Sequence, residues 1–106
     1  MGKKILVIDD DPEIIKLLIV RLGANDFNVV SASDALYAVR MAFEEKPDLI
    51  ILDVNMPGGG GVSVFDRVRK LKTTTKVPVV FLSGCEDQDI QKQVLENGAA
   101  GFISKP

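Results

Sequence analysis

Residues 3–12 read Lys3-Lys4-Ile5-Leu6-Val7-Ile8-Asp9-Asp10-Asp11-Pro12. Four consecutive aliphatic residues with no polar alternation are how a strand covered on both faces of a parallel sheet looks. Three acids then stand at its carboxyl end. Asp11 is a candidate helix N-cap, with Pro12 at the first helical position, where a missing N–H costs nothing. Within ten residues the chain spells a buried strand, an acidic turn and the start of a helix.

Working outward, the same order repeats. Strong apolar runs occur at Leu49 to Leu52, at Val77 to Leu82 (interrupted by Pro78) and at Phe102-Ile103, with a weaker one at Phe27 to Val30. Helical spacing separates them. Ile14, Leu17, Leu18 and Leu22 form one stripe, ending at Gly23; Ala35, Ala38, Val39, Ala42 and Phe43 form another, entered through Ser33-Asp34 and ended before Pro47. A third holds Val64 or Phe65 with Val68 and Leu71. A weaker fourth, roughly Glu86 to Asn97, carries Ile90, Val94 and Leu95, with Asn97-Gly98 as a left-handed stop. Strand and helix in alternation imply right-handed crossovers, hence an α/β fold, a doubly wound parallel sheet of five strands with helices on both faces. A length of 106 residues suits one domain, residues 1–106. No helix follows the fifth strand before Pro106.

The 46% hydrophobic and 26% charged residues argue for a packed globule. A net charge of −2 offers no electrostatic footprint for nucleic acid, and no basic stripe is read, so any DNA contact is expected to fall to another domain or chain. With no histidine, His-based catalysis, His metal ligation and a His pH switch are excluded. The single cysteine, Cys85, cannot close an internal disulfide, which suits a reducing, intracellular setting. The run Ile5 to Ile8 is too short for a signal peptide or a membrane span. A cytoplasmic location is expected.

Ligands of open parallel sheets bind beyond the carboxyl ends of the strands. There the first strand delivers Asp9, Asp10 and Asp11, the third Asp53 and Asn55, the fourth Ser83 and the fifth Lys105. If strands one and three are neighbours, their carboxylates crowd and repel, which a divalent cation relieves. Hard oxygen ligands that keep several waters suit Mg²⁺ (or Mn²⁺). The metal would hold a phosphate donor, Asp53 could attack phosphorus to give an acyl phosphate, and Lys105 and Ser83 could stabilise the phosphoryl oxygens. Singly, each residue has a plainer reading: a cap for Asp11, a solvated loop for Asp9 and Asp10, a strand-end hydroxyl for Ser83, surface for Lys105, a core aromatic for Phe102. Convergence at one rim is what argues for chemistry.

The segments Ile5 to Asp11, Leu52-Asp53-Val54-Asn55-Met56-Pro57-Gly58, Val80-Phe81-Leu82-Ser83-Gly84 and Gly98 to Pro106 together resemble the receiver domains of bacterial two-component response regulators, over essentially the whole chain. The resemblance implies a flavodoxin-like fold of strand order 2-1-3-4-5 and a phosphodonor that is a histidine kinase or a phosphotransfer protein. It implies Asp53 as phosphoacceptor in a phosphorelay, Asp10 as direct metal ligand, Asp9 acting on the metal mainly through water, and the backbone carbonyl of Asn55 completing that site. Ser83 is similar to the switch hydroxyl and Phe102 to the aromatic whose rotamer reports the state. Lys105-Pro106 is similar to a pair whose peptide bond is typically cis. Such a domain is a switch that assists its own phosphorylation and dephosphorylation rather than an enzyme, and it changes a partner-binding surface.

Two departures stand out. The family's last helix is missing, so an apolar face is expected to be exposed, or filled by another chain through swapping or dimer formation. Gly58 to Gly61 is expected to form an unusually mobile loop. Three rival readings remain. An aspartate-nucleophile phosphohydrolase would use Asp9 and Asp11, but Glu13 stands where that family places Thr or Val. A flavin or nucleotide binder would cradle phosphate where three acids stand. A receiver-like scaffold could signal without phosphorylation, although every chemical position is filled.

Overall fold

The computed structural model describes residues 2–56, 60–84 and 88–105. The elements are β1 (Lys4–Ile8), α1 (Pro12–Gly23), β2 (Asn28–Ala32), α2 (Ala35–Glu45), β3 (Leu49–Asp53), α3 (Gly60–Lys70), β4 (Val79–Ser83), α4 (Gln88–Glu96) and β5 (Gly101–Ser104). All strand pairings are parallel, in the order β2-β1-β3-β4-β5. The expected five-stranded, doubly wound sheet is present, with four helices.

Strand alternation divides the core in two. Leu6, Ile8, Ile50, Leu52, Val79 and Phe81 face α2, α3 and α4, where Ala38, Ala42, Val64, Phe65, Val68 and Val94 close the main core. Ile5, Val7, Ile51 and Leu82 point to the opposite side, which among the described residues α1 covers through Ile14, Ile15, Leu18 and Leu22. Ile15, not the expected Leu17, completes that stripe. At about 100° per residue, counted from Ile14, Leu18, Leu22 and Ile15 fall at about 40°, 80° and 100°, whereas Leu17 lies about 60° off the other edge. For the same geometric reason Phe43 and Leu95 stand at the edges of their helices and are exposed.

The exposed apolar face is narrower than the missing helix suggests. Ile51 and Leu82 stay buried in the α1 cluster, Val80 is half-buried, and on β5 Ile103 is open at 54% beside the exposed Ser104.

The caps follow the sequence closely. Asp11 accepts the Glu13 N–H at 2.9 Å and Asp34 accepts the Tyr37 N–H at 2.7 Å. Gly98, at φ +98°, terminates α4. Gly23 behaves differently: it is the last residue of α1, and a right-handed Ala24 caps the helix.

Between α3 and β4 the chain is tied back on itself. Thr74 is fully buried and donates from Oγ1 to the Val68 carbonyl at 2.6 Å, while Thr75 Oγ1 donates to the Arg69 carbonyl at 2.8 Å. The Arg69 guanidinium lies over the Phe65 ring at 4.9 Å and donates to the Val77 carbonyl at 2.6 Å. Burial holds the Arg69 pKa below its ordinary value. The knot gathers Arg67, Arg69, Lys70, Lys72 and Lys76 with no acid among residues 67–76. The expectation of no basic stripe is thereby corrected: a whole-chain balance of −2 conceals a local run.

Phe81 is fully buried and meets Phe65 edge-on, with ring centroids 5.4 Å apart. Phe81→Ala is expected to cost about 3–5 kcal/mol through cavity formation, and Ile103→Ala less than about 1 kcal/mol. Urea denaturation midpoints of the two variants check this contrast.

Candidate functional site

Parallel register carries the chemistry to one rim. Ile8 pairs with Leu52, so Asp9 and Asp53 follow side by side off neighbouring strands. Asp9 is held there by its own N–H donating to the Ala32 carbonyl at 3.2 Å. Asp53 pairs with Leu82, and Ser83 with Ser104. The Lys105 N–H donates to the Ser83 carbonyl at 2.8 Å, which carries the lysine over the strand ends.

The side chains converge accordingly. Lys105 Nζ lies 3.0 Å from Asp9 Oδ2 and 3.4 Å from Asp53 Oδ1. Asp9, Asp53 and Ser83 are buried and Asp10 is exposed. Asp9 Oδ1 accepts the Asp11 N–H at 2.9 Å, and Asp53 Oδ1 the Asn55 N–H at 3.3 Å. Asp9 Oδ2 is buried, and among the described residues the Lys105 ammonium 3.0 Å away is what offsets its charge. Phe102 is half-buried against the main core, next to Phe81 in register.

The donor set suits a divalent cation. One oxygen from each of Asp9, Asp10 and Asp53 lies within 4.8 Å of the others. Three carboxylates against one ammonium leave a net −2, all-oxygen donors favour a hard ion, and the unsatisfied Asp9 Oδ2 is the kind of atom a cation or its water would satisfy.

Burial raises the Asp53 pKa, opposed by the Asn55 N–H, reinforced by the Asp9 charge and opposed again by Lys105. Burial pulls the Lys105 pKa down, but the contacts with Asp9 and Asp53 outweigh it, so the lysine titrates above its ordinary value. At neutral pH the lysine is a fixed positive charge.

The sequence reading did not assign a role to Gly61. The glycine run was expected to be a mobile loop. Gly58 and Gly59 lie outside the described residues, as do Pro57, Cys85, Glu86 and the Lys105–Pro106 bond. Gly60 and Gly61, however, form the first turn of α3. Gly61 donates its N–H to the Val54 carbonyl at 2.8 Å, and a Cβ on it would fall 2.0 Å from the Asp53 carbonyl oxygen. A glycine immediately preceding a helical stripe, after an acid-ended strand, was the available signal.

With this geometry in hand, the comparisons with known proteins agree. Residues 5–106 match the response regulator receiver domain, and the chain belongs to that family. It is similar to the response regulator PleD of Caulobacter vibrioides, 38% identical over 106 residues, all of this chain and 23% of that protein. It is also similar to the alkaline phosphatase synthesis transcriptional regulatory protein PhoP of Bacillus subtilis, 39% identical over 107 residues, all of this chain and 43% of that protein. The chain thus spans less than half the length of these relatives. Among solved structures, the chemotaxis protein CheY4 of Vibrio cholerae superposes with a TM-score of 0.93 at 27% identity, covering 100% of this chain and 88% of that one. The BeF3-activated N-terminal receiver domain of Klebsiella pneumoniae RstA gives 0.88 at 32% identity, covering 96% and 85%. Receiver domains of response regulators are phosphoacceptor switches phosphorylated on aspartate. They act with histidine kinases and effector domains. Among the described residues no helix is long and apolar enough to cross a membrane.

Two outcomes follow for the metal-free protein. A carboxyl whose folded pKa is raised binds more protons in the native than in the unfolded chain, so its contribution to stability falls as pH rises above the ordinary value of 3.8. Asp53→Asn is therefore expected to raise Tm at neutral pH, with the gain vanishing below that value; calorimetry across pH tests it. Gly61→Ala is expected to destabilise by about 2 kcal/mol or more, because backbone rather than a mobile side chain must yield, whereas Gly23→Ala, with nothing within 4 Å, is expected to be neutral or stabilising. Chemical denaturation separates the two.

Proposed function

We propose that residues 1–106 form one receiver domain in which Asp53 accepts a phosphoryl group from a histidine kinase or a phosphotransfer protein. The observation that carries this is the Asp53 carboxylate at the end of β3, beside Lys105 Nζ at 3.4 Å and within the acidic cluster. A carboxylate oxygen of Asp53 bonds to phosphorus while the phosphorus–nitrogen bond of the donor breaks, its electron pair leaving with the imidazole. Lys105 holds positive charge where phosphoryl oxygens gather, and Ser83, buried at the end of β4, supplies a hydroxyl to the same group.

Asp10 and Asp53, with the Asn55 carbonyl, are the residues that would hold Mg²⁺ or Mn²⁺, with Asp9 acting through water. When bound, the ion neutralises charge on the transferring group. The chain would assist its own phosphorylation and dephosphorylation and is not read as an enzyme acting on other substrates.

The switch runs through Ser83 and Phe102. Movement of the hydroxyl toward the phosphoryl group frees space beside β4, Phe102 turns into it, and the surface of α4 and β5 changes for an effector or a second copy of the chain. A net charge of −2 supports a role without direct nucleic-acid contact, and the lack of a membrane-crossing helix among the described residues supports a cytoplasmic one.

Incubation with a small phosphodonor and Mg²⁺, followed by intact mass measurement, is expected to show one phosphoryl group on the wild type and none on Asp53→Asn or after chelation. Modification that survives Asp53→Asn would favour a phosphohydrolase using Asp9 and overturn the reading.

A further inference from the structure

The largest charge feature outside the acidic site is the knot between α3 and β4. Residues 67–76 carry five cations and no acid, so a chain of net −2 carries −7 outside this segment. Arg69 is consumed internally, by Phe65 and the loop carbonyls. Arg67, Lys70, Lys72 and Lys76 are exposed, and none has an ion-pair partner among the described residues.

Arg67 and Lys70 lie in the last turn of α3, where cations favour the helix dipole. Lys72 and Lys76 lie beyond the helix, and that account does not reach them. Their platform is rigid. Thr74 and Thr75 bond back to α3 and Arg69 clasps the loop, so four cations are presented on a preorganised surface, where little ordering entropy opposes binding. The eleven residues of α3 set this surface about 15 Å from the carboxylates at its other end. That exceeds the roughly 8 Å screening length of physiological salt, so the patch acts separately from the acidic rim.

We infer that the α3–β4 knot is a docking surface for a short acidic segment of a partner protein. Size and charge select this occupant. A nucleic-acid duplex or an anionic bilayer extends past four cations that the exposed Asp66 borders, whereas a segment of a few Asp and Glu residues fits among them. Residues 66–78 contain no aromatic side chain on which bases could stack. The exposed Thr73 adds a neutral hydrogen-bond donor at the margin.

The test titrates the ¹⁵N-labelled 106-residue chain with a hexaglutamate peptide, with a DNA duplex and phosphatidylserine vesicles run in parallel. The expected result is saturable shift changes centred on residues 66–78, with affinity falling about tenfold between about 0.05 and 0.3 M salt. Lys70→Glu combined with Lys72→Glu is expected to weaken peptide binding about tenfold or more, with the native spectrum retained and Asp53 phosphorylation unchanged. Peptide shifts centred elsewhere, absence of saturable binding, an unaffected double variant, or tighter binding of duplex or vesicles than of peptide at equal salt would each overturn the inference. Because Asp53 phosphorylation is read in the same samples, failure of the docking surface is distinguishable from failure of the receiver reading.

Discussion

The Lys105 ammonium between Asp9 and Asp53 is the contact on which the rim depends. Two carboxylates buried side by side oppose folding unless positive charge reaches them, because desolvation and mutual repulsion act in the same direction. The cation comes from a different strand, and it arrives only because the Lys105 N–H is pinned to the Ser83 carbonyl. A slip of one residue between β4 and β5 would turn Lys105 to the opposite face and leave both acids uncompensated. The site therefore constrains the sheet's register as much as the sheet positions the site.

The same economy of contacts governs α3. Its first turn lies so close to the Asp53 carbonyl that only glycine fits, and its last turn is knotted to the loop leading into β4. The helix thus bridges the acidic rim and the basic end of the molecule as one stiff rod. Close approach at one end and multiple hydrogen bonds at the other leave it little freedom to slide.

Much of this was legible in the order of residues. Continuous runs such as Ile5 to Ile8, short and bounded by charged residues, read as strands covered on both faces, and Asp11-Pro12 and Asp34 announce helix starts through their own bonding chemistry. The meeting of Asp9, Asp53 and Lys105 followed from placing each at a strand's carboxyl end, where Ser83 also stands. What escaped was whatever depends on packing between segments. The inward preference of Ile15 over Leu17 is a matter of arc position against the sheet. The need for Gly61 arises from backbone approach between elements far closer in space than their composition implies. The basic knot was hidden because net charge sums over surfaces that lie at opposite ends of the fold, whereas residues 67–76 taken by themselves carry five cations and no acid.

Finally, among the described residues α1 is the helix that packs on its side of the sheet, and it has no fully buried residue, whereas α2, α3 and α4 share the larger core opposite. Local opening draws on the elements with least buried apolar contact. Amide protons of α1 should accordingly exchange with solvent through a sub-global opening that leaves β1, β3 and β4 protected. The described residues then form a graded object, in which a firm slab of sheet and three helices carries a looser α1 whose capped start sits directly behind the acidic turn.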